Sequence, residues 1–234
     1  MAILIHGKNP IKEALNASRK FYEAYVLEGQ KNPIIDELNA QNIKIKTLTK
    51  QKMNAMFPTS HQGIGALVED YKTRSLNEVL TKDSPKLFIM LDSLEDPHNL
   101  GAIIRTAEAF KISGVIIPKN RSAQITPTVI KVSAGAIEYV DIITVTNLNQ
   151  TIQTLKTHNI WVVGTDLDTD QTLEAIHPET DLCLVFGSEG KGMSRLIKEN
   201  CDFLVKIPMQ GKINSLNVSV SCGIVLHDIL KRRR

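Results

Sequence analysis

The sequence predicts an α/β protein in two parts, a small mixed unit followed by a larger one built on a parallel sheet. Three observations carry this. Apolar runs alternate with helical patterns along most of the chain. Near residue 86 the runs become continuously apolar, as strands covered by helices on both faces require. Between the two regimes lies "YKTRSLNEVLTKDSP", residues 71–85, polar and ending in Ser-Pro, which reads as a linker.

In the first part, residues 1–70, "YEAYVLEG", "IKIKTL" and "IGALVEDY" have the pattern of strands. "NPIKEALN", "NPIIDELNA" and "TKQKMNAMF" have the pattern of the helices between them. In the second part, residues 86–234, the strands are "KLFIMLD", "GVIIP", "YVDIITV", "IWVVGTD", "LCLVFG" and "FLVKIP". Helical segments such as "NLGAIIRTAEAF", "TPTVIKVSAGA" and "LNQTIQTLKTH" separate most of them. Open parallel sheets bind ligands beyond the carboxyl ends of their strands, so the loops after Asp92, Asp166, Gly187 and Pro208 form the candidate site.

The closing stretch, "SLNVSVSCGIVLHDILKRRR", fits two periods. Leu216, Val218, Val220 and Cys222 alternate with polar residues, as in a strand. Val218, Cys222, Val225, Leu226 and Ile229 recur at helical spacing. The helical stripe runs on through Ile229, whereas the alternation stops at Cys222. Ser215 and Asn217 are also good helix-entry residues.

With 42% hydrophobic and 23% charged residues, the composition is that of an ordinary globular protein. No run approaches the roughly 18 apolar residues of a membrane span. The start, "MAILIHGKNP", is too short in its apolar run for a signal peptide, so a cytoplasmic protein is expected. Cys183, Cys201 and Cys222 are odd in number and far apart, and the six His are scattered; neither a disulfide framework nor a metal site is expected. The net charge of +3 lies in the first 85 residues, which hold 12 Lys and Arg against 9 Asp and Glu. The terminal "KRRR" is a second basic spot, suited to the helix dipole or to a phosphate.

No G-x-G-x-x-G follows a strand, and "GSEGKGMS" lacks the G-K-[ST] ending of a P-loop. Three loops nonetheless have a common make-up. "LDSLEDPHNLGAIIRTAEAF", "LVFGSEGKGM" and "IPMQGKINSLNVSVS" each set Gly, Asn, Ser or Glu after a buried strand. Gly187, Gly190 and Gly192 permit the close backbone approach that a flat ligand needs.

These stretches, in this order, resemble the three motifs of the SpoU-type (TrmH-like) RNA ribose 2′-O-methyltransferases of the SPOUT superfamily. The first is Asn99, Gly101 and Arg105; the second Gly187, Glu189 and Gly192; the third Ile207, Pro208, Met209 and Ser215 through Ser219. The first 70 residues, with "HGKNPIKEAL" and "HQGIGALVEDY", look like the RNA substrate-binding domain of the ribosomal-RNA branch. The resemblance implies a parallel-sheet SPOUT domain with a deep trefoil knot, a homodimer, and S-adenosylmethionine as cofactor without metal. It implies methylation of a guanosine in 23S rRNA, with a tRNA methyltransferase or a non-catalytic RNA-binding protein as the rivals. It also makes the closing stretch a loop followed by a helix from about Asn217.

By the same resemblance, Gly187, Ile207 and Leu216 hold the cofactor's adenosine, with Thr165 and Met209 as neighbours. From sequence alone, core packing is the favoured explanation of those apolar residues. Asn99, Arg105, Glu189, Ser215 and Asn217 are the catalytic set. Arg105 lies one turn after Gly101, and a helical side chain leans toward the N-terminus, so it reaches toward the loop of Asn99. Making an arginine a base at pH 7 costs about 7 kcal/mol, so a role in positioning the hydroxyl and its phosphate and in stabilising the oxyanion is expected instead. Glu189 orders its loop and pairs with Arg105 or Asn99. Ser215 and Asn217 could equally be helix caps.

Overall fold

The computed structural model describes residues 1–57, 61–81, 86–212 and 215–233. The end of the expected linker and Arg234 of the basic tail lie outside these residues. The described chain forms two compact units, Met1–Lys72 with Ile125–Tyr139, and Thr73–Gln124 with Val140–Arg234.

The first unit runs β1 (Ala2–His6), α1 (Lys8–Asn16), β2 (Phe21–Leu27), α2 (Pro33–Ala40), β3 (Ile45–Leu48), α3 (Lys50–Met56) and β4 (Ile64–Glu69). Its sheet has the order β1-β4-β2-β3, with β2 and β3 parallel and β4 antiparallel to both neighbours. Strand β1 is an addition to the elements expected from the sequence. Helices start where local chemistry dictates: Asn32 accepts from the Ile34 amide ahead of α2, with Pro33 in its first turn, and Thr49 accepts from the Lys52 amide ahead of α3.

The expected linker is in part structured. After an isolated parallel bridge from Arg74 to Ile143 comes α4 (Leu76–Leu80). Ser75 and Glu78 form a capping box, with the Ser75 amide donating to Glu78 at 2.7 Å. Val79 and Leu80 are buried in the core of the second unit.

The second unit continues with β5 (Leu87–Leu91), α5 (Pro97–Ala109) and β6 (Gly114–Pro118). Helix α6 (Pro127–Val132) follows, then β7 (Ile142–Val145), α7 (Leu148–Thr157), β8 (Trp161–Thr165), β9 (Leu182–Phe186), α8 (Arg195–Asn200), β10 (Phe203–Val205) and α9 (Val218–Arg232). All six strands are parallel, in the order β10-β8-β9-β5-β6-β7. Every residue of central strands β5 and β9 is buried, which explains their unbroken apolar runs. From β5 the chain steps outward through β6 and β7, then returns to the other side for β8 and β9. The switch point therefore lies at the carboxyl ends of β5 and β9.

One segment departs from the expected division at residue 86. Ile125–Tyr139, which contains α6, is part of the first unit. Its apolar residues Ile130 and Ile137 are buried, and α6 packs on β1 and α1. Arg19 grips Glu138 with two nitrogens at 2.7–2.9 Å and donates to the Glu69 carbonyl, with its guanidinium over the Tyr71 ring. Tyr139 donates to Glu13 at 2.7 Å. A side chain on Gly135 (φ +91°) would strike that of Glu13.

The basic tail is also committed to structure. Arg232 donates to the carbonyls of Leu173 and Ile176, and Arg233 to those of Pro178 and Thr180. Cys183 and Cys222 are buried, and burial pushes the Cys222 thiol up to about 12. No helix among the described residues is long and apolar enough to cross a membrane.

Candidate active site

The carboxyl ends of β8, β9 and β10 and the loop before α9 surround a cavity of about 500 Å³. Thr165, Gly187, Ile207, Met209 and Leu216 all line it, as do Glu189 and Ser215. Residues far apart in sequence thus meet because parallel strands deliver all their carboxyl ends to one edge. The Leu216 and Leu167 side chains stand exposed at its lip, apolar surface that a flat ligand would cover.

The glycine-rich loop after β9 is folded tightly on itself. Ser188 and Gly192 exchange backbone hydrogen bonds at 3.1 and 2.9 Å. Gly190 and Gly192 have φ of +83° and +65°, backbone that other residues adopt at a cost. A Cβ on Gly187 would lie 2.0 Å from the Gly192 carbonyl carbon and 2.1 Å from the Met193 nitrogen. Only hydrogen fits there.

Two carboxylates, one buried and one half-buried, brace these loops, although sequence reasoning assigns neither a role. Asp92, at the end of β5, accepts from the Ser194 amide at 2.7 Å and from the Ser93 hydroxyl at 3.0 Å. It thereby anchors the far end of the glycine-rich loop. Asp166, after β8, lines the cavity and pairs with Lys198. Burial alone would raise its pKa, but Lys198 and the Asp168 amide hold it below the ordinary value. Both directly follow a strand, and that position is their only signal in the sequence.

The three motifs converge on one polar triangle. Asn217 caps α9, its Oδ1 accepting from the amides of Ser219 and Val220 at 2.9 and 3.4 Å. That fixes which end of the amide points away from the helix. Its Nδ2 donates to Asn99 Oδ1 at 2.8 Å and to Glu189 Oε1 at 2.6 Å. Asn99, itself buried on α5, donates to the same Glu189 oxygen at 3.1 Å. Of the two partners expected for Glu189, the structure supplies Asn99. Capping and site geometry are served by the same Asn217 side chain.

Arg105 is placed differently. It is exposed on α5 and lines neither this cavity nor the one beside Asn99. Its leaning geometry over buried Gly101 does not bring it into the triangle. Among the described residues no group of three or more His, Cys, Asp or Glu is arranged to hold a metal ion.

Comparison with known proteins identifies the family. Residues 86–227 match the SpoU rRNA Methylase family, and residues 4–74 match the RNA 2'-O ribose methyltransferase substrate-binding domain. YacO of Bacillus subtilis (strain 168), which carries the provisional name of a TrmH family tRNA/rRNA methyltransferase, is 42% identical over 97% of this chain and 94% of its own. The AdoMet-bound rRNA methyltransferase structure from Sinorhizobium meliloti has the same fold (TM-score 0.84, 21% identity, 99% of this chain and 87% of that one). The A. aeolicus TrmH/SpoU tRNA modifying enzyme matches 67% of this chain and 80% of its own, with a TM-score of 0.59 and 30% identity. With its motifs joined at one site and its family model covering most of its length, this chain belongs to the SpoU (TrmH-like) family of RNA methyltransferases.

Proposed function

We propose that the chain transfers a methyl group from S-adenosylmethionine to a ribose 2′-hydroxyl, on a guanosine of 23S rRNA, acting as a cytoplasmic homodimer with the trefoil-knotted threading of its family. The observation that carries this reading is one cavity lined by all five residues expected to hold the cofactor and by Glu189, which Asn99 and Asn217 hold in place from behind. The bound cofactor supplies an electrophilic methyl on a sulfonium. Held by Thr165, Gly187, Ile207, Met209 and Leu216, it would supply that methyl to the ribose 2′-oxygen and retain the sulfur as leaving group, while the hydroxyl proton would pass to water or an RNA phosphate.

The chain's own residues orient this exchange. Gly187 lets the glycine-rich loop fold back tightly at the cavity edge, and Ile207 and Leu216 supply apolar lining for a purine. The triangle fixes Glu189 at the cavity wall, where its charge and the Ser215 hydroxyl face the ligand's polar end. Arg105 is exposed and meets the RNA from outside the cavities, holding a phosphate. For the dimer, Val220 and Ile224 leave an exposed apolar stripe on α9, matching the face a second copy would cover.

Ribosomal RNA is favoured by the SpoU rRNA Methylase match over residues 86–227 together with the substrate-binding match over residues 4–74. A tRNA target is the second reading, because the name of the Bacillus relative covers both RNAs. Mapping 2′-O-methyl marks in total RNA from cells with and without the gene tests both. One guanosine of 23S rRNA should lose its mark; loss confined to tRNA would select the second reading, and no lost mark in any RNA would refute both.

A further inference from the structure

A second cavity, of about 490 Å³, lies on the other side of the glycine-rich loop. Its lining includes Asn99 and Glu189 of the triangle, Arg121 from the loop after β6, and Lys191. It shares Ser188 and Glu189 with the first cavity, so two spaces of nearly equal size adjoin at one loop. Methyl transfer requires donor and acceptor to approach in line across a short gap. Two ligand-sized cavities that adjoin at Ser188 and Glu189 set two ligands side by side.

The cavity is built rather than incidental. Ser93 and Arg121, both in its lining, hold left-handed backbone at φ +60° and +57°, a strained state that collects at ligand sites. The loop carrying Arg121 is tied down by the Ala123 amide, which donates to the Leu94 carbonyl at 2.6 Å. Gln124 clamps it further by donating to the carbonyls of Pro118 and Ser122. Arg121 is thus held at the rim by a loop fastened at several points.

Charge narrows the ligand. Arg121 and Lys191 are exposed cations at the rim, while Glu95, Asp96 and Glu189 line the same space. Those carboxylates disfavour a polyanion such as a free triphosphate. A unit with one diester charge and neutral donors fits, which is a nucleotide within an RNA strand. We infer that this cavity receives the acceptor nucleotide, with Arg121 and Lys191 holding its flanking phosphates; the inference rests on the methyltransferase reading above.

The test uses full-length protein, tritiated S-adenosylmethionine and total RNA from cells lacking the gene. Arg121→Asn removes the guanidinium while keeping a residue that tolerates left-handed backbone; Lys191→Ala removes the second cation. Cofactor affinity should stay within about twofold, kcat/KM for RNA should fall at least about tenfold for Arg121→Asn, and the salt slope of RNA binding should drop by about one per cation. Unchanged kcat/KM and salt slope with intact cofactor binding would overturn the assignment. Should the wild-type chain methylate no RNA, the methyltransferase reading fails, and ultraviolet crosslinking of the bound RNA decides the cavity separately. Crosslinks at residues 93–96, 121 or 188–191 that vanish in Arg121→Asn sustain it; crosslinks confined elsewhere overturn it.

Discussion

In the first unit several charged side chains are tied to one another or to the fold: Glu138 is buried against Arg19, Glu23 holds Lys44 and Lys46, and Glu13 accepts from Tyr139. In the second unit, Asn99, Glu189 and Asn217 bond chiefly to each other beside a cavity, and Arg105 and Arg121 stand exposed. The difference follows from topology. A mixed sheet scatters its strand ends, whereas a parallel sheet gathers all its carboxyl ends on one edge. Polar groups in the first case serve stability, and in the second they are available for a ligand. Substitutions in the two units should therefore fail in different ways.

The largest effect is expected in the first unit. Burial pushes the Glu138 carboxyl up and Arg19 opposes it, so Arg19→Met leaves a buried carboxylate without its partner. Breaking such a pair costs about 3–5 kcal/mol, measurable by urea denaturation, with cofactor affinity of the folded protein unchanged. A loss below about 1 kcal/mol would put this pair among ordinary surface bridges.

Arg105→Ala should show the opposite signature. Stability should stay within about 1 kcal/mol on an exposed helix position, while single-turnover methyl transfer falls at least about a hundredfold. Arg105→Lys should stay poor across pH 6–9 for a bidentate clamp, and activity rising with pH would instead mark a base. A near-wild-type Ala variant would remove Arg105 from the mechanism.

Asn217 joins both roles, and two substitutions separate them. Asn217→Ala loses the α9 cap, at about 0.5–2 kcal/mol, and the contacts to Asn99 and Glu189; Asn217→Ser keeps a capping oxygen but cannot donate as the amide does. Calorimetric stability should recover in the Ser variant while methyl transfer stays low. Full recovery of transfer would reduce the triangle to a cap.

The smallest effect is a pH dependence. Asp166 is held below its ordinary value, so its contribution is complete above the unfolded-state value of about 4 and is lost as pH falls through the lower folded value. Acid titration of stability should show a smaller loss in Lys198→Met than in wild type. Identical curves would assign Asp166 no linkage.

The second unit's sheet is legible in the sequence because strands buried on both faces leave unbroken apolar runs, and all six form. Strand β1 escapes such a reading because "AILIH", at the very start of the chain, invites comparison with a leader rather than with a strand. Helix α4 hides in a polar stretch although Ser75 and Glu78 carry the capping-box spacing. Chain order places residues 125–139 with the second unit, and nothing in a single sequence reveals that Ile130 and Ile137 pack with the first. A truncation at residue 75 would therefore strip those side chains of their packing partners, so it is a poor test of divided labour. The cofactor residues emerge through motif resemblance, since spacing alone does not distinguish Ile207 or Leu216 from core. Asp92, Asp166 and Arg121 escape notice because their roles depend on contacts with the Ser194 amide, Lys198 and a cavity that only the folded chain assembles.

Titration calorimetry of full-length protein with S-adenosylmethionine, in the presence of a chelator, tests the central claim most directly. One cofactor should bind per chain, at undiminished affinity with the chelator, and Gly187→Ala should abolish binding because its Cβ would collide with the Gly192 and Met193 backbone. No binding by the wild type, or binding that survives in Gly187→Ala, would contradict the assignment of this cavity.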